Sequence, residues 1–223
     1  MAILYHISKY LRRFIKAHTV NYMYTNGIPK VCTIKEMSCI QNKNNIIWID
    51  MELTGLEIEN DCILEIACLV TDENLNIISD EFHKILYQED SILEKMNGWC
   101  KITHSESGLT KASQKSNENE DSVDKSLLNF MMQYVPAKKC PLAGNSIYID
   151  RLFLQKYLKE SNNYLHYRNI DVSSIKEVVR RWNPEIYSLA PKKTHSHKAM
   201  NDIKETIEEL IFYRKNIFNI NSN

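Results

Sequence analysis

The chain has 223 residues, 28 basic and 28 acidic side chains and therefore no net charge, with 43% hydrophobic residues. That length can bury one sizeable core, and the composition is that of neither a disordered nor a fibrous protein. A balanced charge offers no broad positive surface for tracking long duplex DNA, and five glycines with no Gly-rich run argue against nucleotide-triphosphate chemistry.

Residues 1–45 read as a basic extension. Residues 1–35 hold Lys9, Arg12, Arg13, Lys16, Lys30 and Lys35 and no acid, leaving 22 basic against 28 acidic side chains in the rest. Ile3, Leu4, Ile7, Leu11, Phe14 and Ile15 can form an apolar helical face opposite the basic residues, the profile of a mitochondrial or other organellar presequence. The same composition fits a disordered basic tail. The segment is neither long nor apolar enough to span a membrane.

A buried strand is predicted over 46–52, where the apolar run Ile46-Ile47-Trp48-Ile49 ends in Asp50-Met51-Glu52. Residues two apart on a strand project from the same face, so Asp50 and Glu52 point together, about 6 to 7 Å apart at the backbone. Two carboxylates that close repel unless a cation lies between them, and hard oxygen ligands favour magnesium or manganese over zinc. A lone Asp-x-Glu is weak evidence, and taken by itself it reads as an ordinary strand before a solvated turn.

Further strands are predicted at 62–71 and about 75–87, then helices within 90–105. The polar segment from Ala112 to Asp124 reads as a surface loop leading into a helix over 120–135 that carries Leu127, Leu128, Met131 and Tyr134. Next come a short strand, 141–144, and a helix, 146–159, with Ser146 as its N-cap. Asp150 then falls just over one turn into that helix on nearly the face of the cap, while Phe153, Leu154, Tyr157 and Leu158 bury the opposite side. An acidic residue in a first turn is also ordinary, because the helix dipole favours it there.

A strand at 169–172 and a helix at 173–182 precede the segment His195-Ser196-His197-Lys198-Ala199-Met200-Asn201-Asp202, which leads into a last helix, 199–215, with Ile203, Ile207, Leu210 and Ile217 on its apolar stripe. His197 and Asp202 are five residues apart, about 140° of rotation on one helix. We therefore place His197 before the helix and Asp202 within it, so that both reach one site from different directions. A surface His pair before an amphipathic helix is the plainer reading of this segment alone. Three sequential strands followed by alternating helix and strand suggest a mixed sheet flanked by helices. The six cysteines, at 32, 40, 62, 68, 100 and 140, form no Cys-x-x-Cys pair and no zinc spacing, and read as reduced thiols of an intracellular protein.

Together, a strand-end Asp-x-Glu, a helix Asp and a His-x4-Asp supply the parts of two-metal phosphodiester hydrolysis. Four carboxylates suit two divalent cations, and a neutral His near the attacking water can take its proton. The order Asp50-x-Glu52, Asp150, His197-x4-Asp202 resembles the Asp-Glu-Asp-Asp exonuclease superfamily, histidine subclass. Within it, the chain from about Ile46 to Phe218 resembles the oligoribonuclease family. The runs Met51 to Leu56, Trp99-Cys100-Lys101, Ser107-Gly108-Leu109-Thr110, Pro141 to Ser146, His166-Tyr167-Arg168, Asp171-Val172-Ser173-Ser174 and Arg180-Arg181-Trp182 carry that likeness.

The resemblance implies an RNase H-like fold, α/β, with a five-stranded mixed sheet in an exonuclease domain at 46–218 before a tail at 219–223. It implies that Asp50, Glu52, Asp150 and Asp202 hold two divalent metal ions, Mg or Mn, with His197 as general base. Leu56 and Trp99 match residues that pack on the bases, and His104 lies near the same pocket. Ser146, Arg168 and Ser173 match groups that cap a 5′ phosphate, and Tyr167 joins the base stack. Tyr167 and Arg168 would come from the second subunit of a homodimer. The implied substrates are short single-stranded RNA oligomers, dinucleotides above all, degraded 3′ to 5′ to nucleoside 5′-monophosphates. No membrane partner is expected, and the compartment is mitochondrial or another organelle, or cytoplasmic. Asn201 departs from the family in standing where many relatives carry a second Asp, which favours Asp202 as the ligand. The alternatives are a proofreading-type or DNA-directed exonuclease, and a non-catalytic binding module that keeps the pocket without turnover.

Overall fold

The computed structural model describes residues 21–25, 28–32, 41–193 and 198–218, the first two stretches by backbone alone. The apolar helical face expected over residues 3–15, both His195 and His197, and the tail at 219–223 lie outside the described residues. Two strands not expected from the sequence, β1 (Asn21–Thr25) and β2 (Ile28–Cys32), pair antiparallel within the extension. The residues between them are Asn26-Gly27, a pair favoured in two-residue hairpin turns.

The main sheet has the order β5-β4-β3-β6-β7. Its strands are β3 (Ile46–Leu53), β4 (Ile63–Thr71), β5 (Phe82–Ile85), β6 (Leu142–Gly144) and β7 (Asn169–Asp171). The β3–β4 and β4–β5 pairs are antiparallel, whereas β3–β6 and β6–β7 are parallel, so the sheet is mixed as expected. Because side chains alternate along a strand, β3 feeds two cores. Ile47, Ile49, Met51 and Leu53 face α4 (Glu120–Tyr134) and α5 (Tyr148–Tyr157), while Ile46 and Trp48 face α7 (Val172–Trp182) and α9 (Ala199–Asn216). A smaller cluster of Leu64, Leu93, Met96, Cys100 and Leu109 seats α1 (Asp90–Leu93), α2 (Gly98–Glu106) and α3 (Leu109–Lys115).

Several boundaries differ from the sequence reading, each for a local reason. The strand expected over about 75–87 shrinks to β5 and two isolated bridges, Ile77 with Thr71 and Leu86 with Glu118. Leu75 has φ 70°, and the Asp72 carboxylate accepts from the N–H groups of Asn74 and Asn76, so the chain reverses there. Helices are expected within 90–105 and two form there, the Asn97 side chain accepting from Cys100 N–H and starting α2 apart from α1. The loop expected over 112–124 contracts to four residues. Residues 112–115 lie in α3, whose N-cap is Gly108 at φ 81°, and a capping box of Asn119 and Ser122 starts α4. Two short helices, α6 (Lys159–Tyr164) and α8 (Pro184–Ser188), were not expected. Asp124 explains the first of these, since its carboxylate accepts from the N–H groups of Glu160 and Ser161 at 2.9 and 2.8 Å and caps α6 from outside.

Candidate active site

The even-numbered face of β3 runs out of apolar residues at its end. Ile46 and Trp48 are buried under α9, and Asp50 and Glu52 continue their face. Helix α9 lies on that face through Ile203, Ile207 and Leu210, which delivers Asp202 from its first turn to the same place. One ligand atom each from Asp50, Glu52 and Asp202 lies within 4.8 Å of the others. The β3–β4 register shifts between Glu52 and Leu53, a local irregularity that bends the strand beside the cluster.

Asp150 arrives by another route. Strand β6 stops at Gly144, after the register pairs Ile47–Leu142 and Trp48–Ala143, so further along β3 has no parallel neighbour. There Met51 N–H donates to Asp150 Oδ1 at 3.0 Å, which ties the buried Asp150 to the strand that bears Asp50 and Glu52. The turn between is tight: a Cβ on Gly144 would lie 2.8 Å from Ile147 Cδ1 and 2.9 Å from Ile49 O. Ser146 is not the helix cap the sequence suggested. It has φ 48°, Ile147 holds the N-cap position, and the helix starts at Tyr148. Left-handed backbone turns the Ser146 N–H outward, where it donates to Asp171 Oδ1 and Ser173 Oγ, both at 3.0 Å.

The electrostatics are those of negative charges brought together at partly buried positions. Burial, then the charges of Asp150, Asp202 and Glu52, holds the Asp50 carboxyl well above the usual range, against the opposing charge of Lys193. Burial, then Glu65 and Asp202, pushes Glu52 up to about 7. Asp150 is raised mainly by burial, although its backbone hydrogen bonds oppose the shift. Glu65 is the register partner of Glu52 on β4, is 7% exposed, and meets His83 Nε2 at 2.6 Å.

Leu56 and Trp99, 72% and 59% exposed, line a cavity of about 280 Å³ together with Glu52, Leu53, Gly55 and His104. His104 is 1% exposed, with Nε2 2.9 Å from Leu53 O and Nδ1 3.9 Å from Glu52 Oε2, so its ring braces the strand end. The turn that carries Leu56 is fixed by Asp61, whose carboxylate accepts from Thr54 Oγ1 and Glu57 N–H, both at 2.8 Å. Ser173 joins Ser146 by the contacts above and by an Oγ–Oγ distance of 3.3 Å. Tyr167 and Arg168 are exposed, with the guanidinium carbon 5.4 Å from the tyrosine ring centre.

Four residues of this region escaped the sequence reading. Glu65 could have been found as the single charge in a strand otherwise apolar or small, and Thr206 as the residue one turn after Asp202 on the same face. Asp61 and Asn145 carried no signal beyond their neighbours' motifs. Four of the cysteines, Cys62, Cys68, Cys100 and Cys140, are free thiols.

The exonuclease family RNase_T matches residues 47–210. A protein named mitochondrial oligoribonuclease from Bos taurus is 50% identical over 173 residues, which cover 78% of this chain and 73% of that one. An oligoribonuclease from Pseudoalteromonas atlantica is 49% identical over 176 residues, 79% of this chain and 97% of that one. Among solved structures, the zinc-bound E. coli ExoI–ssDNA complex is similar with a TM-score of 0.64 at 13% identity, a likeness of fold. It covers 80% of this chain, which spans 42% of that one.

Proposed function

Because this chain belongs to the oligoribonuclease family of RNase_T exonucleases, we propose that it is a 3′-to-5′ exoribonuclease that hydrolyses very short oligoribonucleotides, dinucleotides above all, to nucleoside 5′-monophosphates. The observation that carries this reading is Glu52, which belongs both to the acidic cluster and to the wall of the Leu56–Trp99 cavity. A base held in that cavity brings its phosphate to the carboxylates.

The carboxylates fit divalent cations: their oxygens converge within ligand reach, and their protonation is raised by burial and mutual repulsion, a strain that positive charge relieves. Asp50, Glu52, Asp150 and Asp202 would hold two ions, Mg or Mn. Bound there, the ions supply an acidified water and neutralise charge on the phosphate. His197, as general base, takes the water's proton at an imidazole nitrogen. The water oxygen bonds to phosphorus, the bond to the 3′ oxygen breaks, that oxygen takes a proton from solvent to become a 3′ hydroxyl, and a 5′-phosphorylated dinucleotide yields two nucleoside monophosphates.

Leu56 and Trp99 stack on bases without regard to sequence. Ser146, Ser173 and Arg168 cap the 5′ phosphate, and Tyr167 adds to the base stack. Tyr167 and Arg168 come from the second subunit of a homodimer, so the cap acts as a ruler that rejects longer chains. His104 holds the strand end at the mouth of the pocket. The exonuclease domain spans 46–218, and residues 1–45 are an organellar targeting segment, in keeping with the mitochondrial naming of the mammalian relatives. Among the described residues no helix is long and apolar enough to cross a membrane.

The test is a time course on 5′-phosphorylated RNAs of two to ten nucleotides, in manganese and in EDTA, with His197→Ala alongside. Metal-dependent conversion fastest on the dimer and lost in the variant is expected. Faster cutting of the longer RNAs, or of short DNA, points to a general or DNA-directed exonuclease, and binding without cleavage to a non-catalytic module.

A further inference from the structure

Between the proposed phosphate cap and the acidic cluster runs an unbroken line of hydrogen bonds. Ser146 N–H donates to Ser173 Oγ at 3.0 Å, and Ser173 Oγ meets Asn145 Oδ1 at 3.3 Å. Asn145 Nδ2 in turn donates to Thr206 Oγ1 at 2.8 Å, and Thr206 Oγ1 donates to Asp202 O at 2.7 Å. Thr206 is 3% exposed, and its hydroxyl also accepts from Lys193 Nζ at 3.0 Å. A hydroxyl has one proton and two lone pairs, so this one is fully used.

The line adds a polar tie between parts of the fold that otherwise meet through the Gly144–Asp171 register pair, the Ser146 N–H to Asp171 contact and the apolar packing of α7 with α9. Asn145 lies on the turn after β6, Ser173 at the start of α7, Thr206 on α9, and Lys193 four residues before His197 in the chain. Asn145 is the strut: its carbonyl oxygen faces the cap and its amide nitrogen faces the helix that bears Asp202. A side-chain amide offers an acceptor and a donor on one rigid plane, which makes it suited to fix the separation of two groups.

We propose that Asn145 and Thr206 are positioning residues that set the distance between the 5′-phosphate cap and the metal-holding carboxylates, and so set the substrate length at which cleavage is fastest. Neither contacts the reacting atoms. The proposal rests on the oligoribonuclease reading of the cap. A cap held loosely relative to the carboxylates still binds a phosphate but no longer places the linkage of a dinucleotide in line, and misplacement of about 1 Å costs on the order of 100-fold in rate. Substrates that do not span both ends do not depend on the strut.

The experiment compares wild type with Thr206→Val, nearly isosteric but without the hydroxyl, with Asn145→Ala, and with Thr206→Ser. Each is assayed in manganese on a 5′-phosphorylated dinucleotide, on a tetranucleotide, and on the p-nitrophenyl ester of a nucleoside 5′-monophosphate, which has no cap phosphate. We expect Thr206→Val and Asn145→Ala to lower kcat on the dinucleotide by at least about tenfold, to shrink the dimer-over-tetramer preference by a similar factor, and to leave ester hydrolysis within about threefold. Thr206→Ser should restore the preference. Equal losses on all three substrates would reduce the two residues to support for Asp202 alone, and an unchanged preference would remove the strut, each overturning the proposal. If wild type itself shows no preference for the dinucleotide, the reading of the cap fails, and the proposal falls with it before any variant is consulted.

Discussion

Glu52 stands opposite Glu65 on the β3–β4 ladder and beside Asp202, so its ionisation is opposed by burial and by two neighbours of its own charge. Its folded value of about 7 lies above the ordinary 4.5. Protonation therefore favours the fold: the stabilising contribution is complete below about 4.5 and is lost as the pH rises through 7. We expect the metal-free protein to melt at falling temperature as the pH goes from about 5 to 8. Glu52→Gln should flatten part of that slope, by on the order of 2 kcal/mol or a few degrees near neutral pH. Thermal melts of the two proteins across pH in EDTA check this, and a parallel slope in the variant would show that Glu52 is not the titrating group. Asp150 differs because its Oδ1 also holds Met51 N–H. Asp150→Asn keeps that acceptor and removes a carboxyl whose ionisation burial opposes, so the melting temperature near neutral pH should hold or rise while turnover drops by at least about 100-fold, the loss expected when a proposed metal-holding carboxylate is removed. Steady-state rates beside a thermal melt separate the two effects.

At the scale of elements, periodicity was a good guide where one face is buried. The stripe Ile203, Ile207 and Leu210 on α9 and the pair Phe153 and Leu154 on α5 are buried as their spacing implies. Polar segments misled, because side-chain hydrogen bonds rather than apolar faces decide them. Residues 112–124 look like loop in composition, yet Ser113 Oγ donates to Leu86 O at 2.6 Å from within α3, and Asp124 caps α6 across the core. Asp124→Ala leaves two helix-terminal N–H groups without their acceptor, that of Ser161 buried and that of Glu160 partly so, and should cost about 1 to 3 kcal/mol. Denaturant unfolding should show a lower midpoint with an unchanged slope; a midpoint equal to wild type would mean that α6 finds another cap.

For the whole molecule, complementation tests the two-subunit pocket of the proposed function directly. Asp202→Asn and Arg168→Ala should each be inactive, or nearly so, on 5′-phosphorylated dinucleotides. If Arg168 acts in the neighbouring subunit's site, co-refolded mixtures regain about a quarter of wild-type sites, since half the dimers are mixed and each has one intact site. No recovery would place Arg168 in its own chain's site or outside it. The sequence by itself determined the chemistry on offer, namely which segments end in carboxylates, which carry an apolar stripe and which family's motifs they match, because these are properties of neighbours along the chain. The tertiary structure alone decided what stands beside what. Glu65 faces Glu52 through strand register, Ser146 turns its N–H outward through a left-handed backbone, and Asn145 reaches Thr206 across 61 residues of chain. Charge repulsion and hydrogen bonding depend on distance through space, and that distance exists only once the sheet order and the helices packed on it are in place.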